Sequence, residues 1–241
     1  MGEAVTRKNS SFLKVDEDFE RRKKEFVNRL LQWYALNKRA FSWRKRELTP
    51  YQALILELML QRTPAQRVEK VFESFIKKFP DPIALQSASD MELESTIQTL
   101  GLQKRRRELL KNLAEYLVKK HNGRVPVERD ELLQLPGVGI YVASAILCYC
   151  HGKPVPLIDT NAARVLWRIF GLPSRGDPSS EKYLWIFAER ILPKNNAKSF
   201  NWAVIDFGSL MCKPNNPKCS ECPMCDICKW YSESKNQNYV R

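Results

Sequence analysis

Four cysteines near the C-terminus, Cys212, Cys219, Cys222 and Cys228, follow the pattern C-x6-C-x2-C-x5-C within 17 residues. A loop that short cannot hold its thiols far apart, so they can converge on one metal centre. Two occupants suit four thiolates: a tetrahedral zinc ion or an iron–sulfur cluster. Zinc ribbons and fingers usually pair two C-x2-4-C knuckles. Within this pattern only Cys219–Cys222 has that spacing, and the uneven run suits a cluster loop better. Cys225 lies in the same loop but falls outside the spacing.

Disulfides are the competing use of these residues. Met1–Arg22 is polar and charged, without the apolar core of a secretory signal. The chain has seven cysteines, an odd number, and is long enough to need no staples. A reducing compartment is expected, hence a cytoplasmic, nucleoid-associated protein. Cys148 and Cys150, in the apolar run Ala143–Cys150, read as ordinary buried cysteines.

Lysine and arginine outnumber aspartate and glutamate by 40 to 27 across 241 residues, a net charge of +13. A polyanion is the implied partner, nucleic acid before a membrane surface. No apolar run reaches the roughly 18–20 residues that span a bilayer. With only His121 and His151 in the chain, a Ser-His-Asp hydrolase or a histidine-rich metal enzyme is a poor fit.

Apolar residues recur at helical spacing along most of the chain. Residues 1–15 read as a disordered basic tail. A helix capped by Asp16 or Asp18 should run to about Asn37, with Arg21–Lys24 on a solvated face. Further helices are predicted over Tyr51–Gln61, Arg67–Lys78, Ile83–Ser87, Asp90–Gln98 and Lys104–Lys120. No alternating strand pattern of useful length occurs, so the fold class is all-α.

Leu135-Pro136-Gly137-Val138-Gly139 separates a short predicted helix, Arg129–Gln134, from a longer one, Tyr141–Cys150. Glycines two apart allow a sharp turn that exposes backbone N–H groups. These lie at a helix N-terminus, where the dipole also favours an anion. Gly137, Val138 and Gly139 could thus hold a DNA phosphate without side chains, a contact that fixes register but reads no sequence.

The hairpin sequence, Asp159 about twenty residues beyond it, and the cysteine pattern together resemble the helix-hairpin-helix DNA glycosylases, the superfamily of endonuclease III and the MutY adenine glycosylases. The similarity runs from Phe41-Ser42-Trp43-Arg44 to Trp230, most of the chain. It implies two helical domains with the active-site cleft between them. A six-helix barrel would span 49–153, with the hairpin at 129–150. Residues 16–48 would join 154–241 to form the iron–sulfur cluster domain, whose four cysteines hold a [4Fe-4S] cluster. The implied partner is double-stranded DNA carrying a mismatched base, and the family's default is a monomer.

Breaking a base–sugar bond builds positive charge on the sugar. A carboxylate near that carbon stabilises the charge and can activate a water. Asp159, between the apolar stretch Val155–Ile158 and the predicted helix Thr160–Phe170, is expected at a helix N-cap. The resemblance makes it the essential aspartate. Lyase members carry a lysine at the position of Tyr141, whose amine forms a Schiff base with the sugar. Tyrosine cannot, which implies a monofunctional glycosylase. Adenine glycosylases typically have serine there, and tyrosine resembles the mismatch-specific thymine (T/U·G) glycosylases.

Glu57, in Leu56-Glu57-Leu58-Met59-Leu60-Gln61-Arg62-Thr63, is a third candidate, able to protonate a departing base. The segment resembles both classes and does not separate them. By motif position Gln61 and Arg62, with Leu102 and Gln103, would fill the hole that a flipped base leaves, and Arg105–Arg107 would lie near phosphates. The expected substrate is thymine or uracil opposite guanine; the alternatives are adenine opposite guanine or 8-oxoguanine, and a non-catalytic DNA clamp. Adenine glycosylases usually carry a further C-terminal domain, and here 13 residues follow Cys228. A clamp would have no use for carboxylates facing an anionic partner.

Overall fold

The computed structural model describes residues 16–174 and 176–238, with side chains as far as 234. The segment expected to be a disordered tail, 1–15, lies outside the described residues. Every regular element among the described residues is helical. The described residues divide into two compact units, one of residues 16–39 with 154–174 and 176–238, the other of residues 40–153.

The first unit opens with α1 (Glu17–Asn37), capped by Asp16, whose carboxylate accepts from the Phe19 N–H at 2.8 Å. Its buried stripe, Phe26, Leu30 and Tyr34, recurs every four residues, as a one-sided helix requires. Three further helices follow: α10 (Thr160–Phe170), α11 (Lys182–Ile191) and α12 (Ala197–Leu210). Phe26 meets Phe170 and Phe200 edge-on, with centroids 5.3 and 6.0 Å apart. Burying such a ring is worth about 2–3 kcal/mol. Asp206, fully buried on α12, accepts from Arg39 Nε at 2.6 Å and from the Arg39 N–H at 3.0 Å. A last helix, α13 (Lys229–Asn238), packs on α10. Arg22 departs from the solvated face expected for Arg21–Lys24. It turns inward and donates to the carbonyls of Ile169 and Ile227, both at 2.7 Å.

The second unit holds α2 (Pro50–Leu60), α3 (Ala65–Glu69), α4 (Phe72–Lys78), α5 (Pro82–Ser87), α6 (Asp90–Ile97), α7 (Gln103–His121), α8 (Arg129–Leu132) and α9 (Ile140–His151). Helix α2 starts at a Thr49–Gln52 capping box with Pro50 in its first turn, and it is buried on nearly every side. It packs against α9, while α7 packs on α5 and α6.

Two expectations are corrected here. Residues 40–48, assigned from the sequence to the cluster domain, belong to the second unit. Trp43 stacks on Phe41 at 4.5 Å and meets Phe72 edge-on, and the Ser42 N–H donates to Glu69 at 3.0 Å. The single helix expected over Arg67–Lys78 is two, because the Val71 N–H turns back to the Val68 carbonyl. Val68, Phe72 and Phe75 are nonetheless all buried, since their spacing of four and three residues keeps them on one side.

Candidate functional site

In the first unit, Asn201 on α12 fixes the approach to Asp159. Its side chain accepts from the Leu157 N–H at 3.0 Å and donates to the Val155 carbonyl at 2.9 Å. Leu157 and Ile158 are then buried, and Asp159 emerges half-buried as the N-cap of α10. One carboxylate oxygen accepts from the Ala162 N–H at 2.7 Å, the other from Asn161 Nδ2 at 2.9 Å. A donor on each oxygen and the positive end of a helix hold the carboxylate in one orientation.

Asn161 is itself held. Its Oδ1 accepts from Arg164 Nη2 at 2.8 Å, and Arg164 also donates to the carbonyls of Gly208 at 2.7 Å and Cys212 at 2.8 Å. A continuous set of hydrogen bonds therefore runs from Asp159 through Asn161 and Arg164 to the first cysteine of the loop. Burial lowers the pKa of Arg164, and the charge of an ionised Cys212 opposes that shift.

The cysteine loop folds against α10 and α12. Cys212, Cys219, Cys222, Cys225 and Cys228 line one pocket, about 350 Å³ of atom-free space partly open to solvent. Met224, fully buried, and Ile227 anchor the loop from inside. Arg168, one helical turn beyond Arg164, donates to Cys212 Sγ at 3.6 Å and to the carbonyls of Lys213 and Pro214 at 2.7 and 3.0 Å. Its guanidinium lies 4.6 Å from the Trp230 ring centre. From α1, Arg29 donates to the Pro223 carbonyl at 3.0 Å and to Asp226 at 2.5 Å.

Burial pushes the Cys222 thiol up to about 12, and it raises Cys219 and Cys228 in the same direction. Neighbouring thiolates add to each shift. Crowded, desolvated sulfurs of this kind ionise together only around a cation. The donor set thus fits a cationic thiolate-bound group. Among the described residues, no three His, Cys, Asp or Glu side chains converge tightly enough to hold a single metal ion.

In the second unit, Gly137 has φ +78°, and a Cβ there would stand 2.7 Å from Leu109 Cδ1. The positive φ of the turn requires glycine, and a side chain there would also push Leu109 aside. Gly139 differs. It is the extended N-cap of α9, with φ −100°, and an added Cβ would meet nothing within 4 Å. No side chain caps α9, so no side chain takes up its first-turn N–H groups. Val138, between the glycines, is buried. Tyr141, half-buried, lies in the first turn of α9.

Glu57 is buried in the middle of α2, at 6% exposure. Gln61 closes that helix, exposed, and its Nε2 donates to the Gly137 carbonyl at 3.0 Å. Arg62, also exposed, has φ +56°. Leu102, the N-cap of α7, has the same left-handed φ and is 55% exposed. Gln103 Nε2 donates to the Gln98 carbonyl at 3.2 Å. Of Arg105–Arg107, expected near phosphates, only Arg105 presents an exposed side chain. Arg106 is buried, and Arg107 is engaged by Asp90, Glu94 and Glu108 at 3.0, 2.9 and 3.6 Å.

Residues 55–190 match the family described as the HhH-GPD superfamily base excision DNA repair protein. A thymine/uracil-DNA glycosylase of Pyrobaculum aerophilum is 38% identical over 87% of this chain and 93% of its own. An adenine DNA glycosylase of Mycobacterium tuberculosis is 35% identical over 83% of this chain and 66% of its own. The solved structure of a thermostable thymine-DNA glycosylase superimposes with a TM-score of 0.86 at 34% identity, covering 90% of this chain and all of that one. With a family match over more than half its length and a relative of this identity across nearly all of it, the chain belongs to the HhH-GPD superfamily of base excision DNA repair proteins.

Proposed function

We propose that this protein is a DNA N-glycosylase that removes thymine or uracil mispaired with guanine and leaves an abasic site in double-stranded DNA. The observation that carries the reading is Asp159. It is a carboxylate held by two N–H donors at a helix N-cap, in a chain whose similar relatives are named for thymine and uracil release.

In this reading the base leaves with the bonding electron pair, and charge develops on the sugar. The Asp159 carboxylate stabilises that charge and takes a proton from the attacking water, whose oxygen bonds to the sugar carbon. Glu57 supplies or shares a proton with the departing base. Tyr141 has no amine, so hydrolysis ends at the abasic site with no Schiff base. Gln61, Arg62, Leu102 and Gln103 enter the stack where the base has left it. Gly137, Val138 and Gly139 seat a phosphate on the N-terminus of α9, the bare Gly139 permitting close approach.

Cys212, Cys219, Cys222 and Cys228 hold a [4Fe-4S] cluster, supported by their shared pocket and by the thiolates' need for a cation. Four thiolates fill a cluster's protein positions, and its part is to fix the loop. Lys213 and Lys218, both exposed there, then reach the DNA backbone.

The test is a set of duplexes holding one T·G, U·G, A·G or A·8-oxoguanine pair, scored for alkali-labile sites. Release of thymine and uracil, without strand cleavage before alkali, is expected. Release of adenine alone sinks the base assignment. Inertness on every duplex sinks the enzyme. A borohydride-trapped adduct sinks the role of Tyr141.

A further inference from the structure

Arg106 is 8% exposed, and all the acceptors it meets are uncharged. Nε donates to the Gly101 carbonyl at 3.0 Å, Nη1 to the Leu58 carbonyl at 3.0 Å, and Nη2 to the Gln61 carbonyl at 2.8 Å and to Thr63 Oγ1. Four of the five guanidinium N–H donors are thus placed. Leu58 belongs to the last turn of α2, whose carbonyls have no partner within the helix. A cation there also meets the negative end of the helix dipole.

Burying a guanidinium without a carboxylate is costly, and its pKa is lowered by desolvation. Such an arrangement persists only where the bonds it makes are worth that cost. Here they join two turns that share no helix: Gln61–Thr63 after α2 and Gly101–Leu102 before α7. Each turn contains a non-glycine residue in the left-handed region, Arg62 and Leu102, both with φ +56°. That conformation costs about 1–2 kcal/mol per residue and must be imposed by surrounding contacts. Thr63 Oγ1, which receives Arg106, stands 3.4 Å from both the Gln61 carbonyl and the carbonyl of Leu100, the residue before the second turn, so its one proton has an acceptor on either side.

We propose that Arg106 is a positioning residue for base flipping, clamping the Gln61–Thr63 and Gly101–Leu102 turns at a fixed separation so that they enter the duplex as one wedge. The Gln61 side chain extends the clamp to the hairpin through the Gly137 carbonyl. Arg106 touches no DNA in this scheme; it acts through Gln61, Arg62 and Leu102. The inference rests on the wedge role given to those residues above.

The experiment uses the full chain and a T·G duplex with 2-aminopurine stacked beside the thymine. Anisotropy reports binding, 2-aminopurine fluorescence reports unstacking, and single-turnover release reports chemistry. Arg106→Gln should bind within about twofold of wild type, fail to raise the fluorescence, and release thymine slower by on the order of 10²-fold. A thymine placed opposite an abasic site needs less work to flip, so most of that loss should disappear there. Leu102→Ala should lower the rate on T·G too, and the double variant should lose less than the product of the two. Thr63→Val, a smaller change, should show the same pattern at lower amplitude even where Arg106→Gln melts early. An unchanged fluorescence rise in folded Arg106→Gln, an equal loss on both substrates, or multiplicative losses would each overturn the clamp. Wild type that unstacks the thymine but never releases it would overturn the glycosylase reading and leave the clamp standing.

Discussion

The Cβ that Gly208 lacks would stand 2.8 Å from both Cβ and the carbonyl oxygen of Asn161. Helices α10 and α12 cross at that point, and Asn161 is the residue whose amide holds Asp159. Gly208 sits in a regular helix, so torsion alone would favour alanine by up to about 1 kcal/mol. A contact with backbone cannot be relieved by a rotamer, and overpacking of this kind costs about 1–3 kcal/mol. The clash should win. Gly208→Ala is expected to lower the melting temperature and, by displacing Asn161, to slow single-turnover release more than it weakens DNA binding. A variant as fast and as stable as wild type would show that the crossing tolerates a methyl group.

Asp159→Asn separates charge from capping. Asparagine caps helices about as well as aspartate, so α10 should form and the melting temperature should move little. The amide cannot take a proton from water, and release should fall by at least about 10²-fold while binding to a T·G duplex persists. Asn161→Ala removes one of the two donors and should cost less than Asp159→Asn. Retained turnover in Asp159→Asn, measured under single-turnover conditions, would move the catalytic role elsewhere.

The N-cap at Asp159 and the shared pocket of the cysteines were legible in the sequence for a plain reason: both follow from local order. An aspartate directly before a helical run is a cap, and thiols within one short loop meet. Arg164 and Arg168 were not, since their partners are backbone carbonyls from Gly208, Cys212, Lys213 and Pro214, far along the chain and without any mark in the sequence. Arg106 left a trace that charge alone obscured. It stands 4, 7 and 11 residues before Leu110, Leu113 and Leu117, all buried, so helical phase sets it on the inner face and its neighbours Arg105 and Arg107 off it. The break between α3 and α4 had no such trace, because a tight turn without glycine or proline looks like continuous helix.

If the four cysteines hold the proposed cluster, Arg168 is expected to protect it. It places a positive charge 3.6 Å from Cys212 Sγ and ties the chain at Lys213 and Pro214. Hydrogen bonds to ligand sulfurs tune such centres, and the partners that make them hold the ligands in place. Arg168→Gln should still be purified with iron and sulfide, yet bleach faster than wild type when challenged with a chelator. Cys228→Ser should lose most of the iron outright. Equal bleaching rates would reduce Arg168 to a partner of Trp230.

The two hairpin glycines should fail in different ways. Gly137→Ala must adopt φ +78° and displace Leu109, so its cost falls on folding, roughly 1–3 kcal/mol, and the melting temperature should drop. Gly139→Ala meets no atom and keeps an extended φ that any residue adopts. Its only penalty on the free protein is a poorer helix cap, at most about 1 kcal/mol. If a phosphate approaches the N-terminus of α9, that methyl group blocks it. Gly139→Ala should therefore melt close to wild type, bind all duplexes more weakly whatever the mispair, and show a salt dependence of binding reduced by about one phosphate contact. Unchanged binding at every salt concentration would place the phosphate contact somewhere other than this turn.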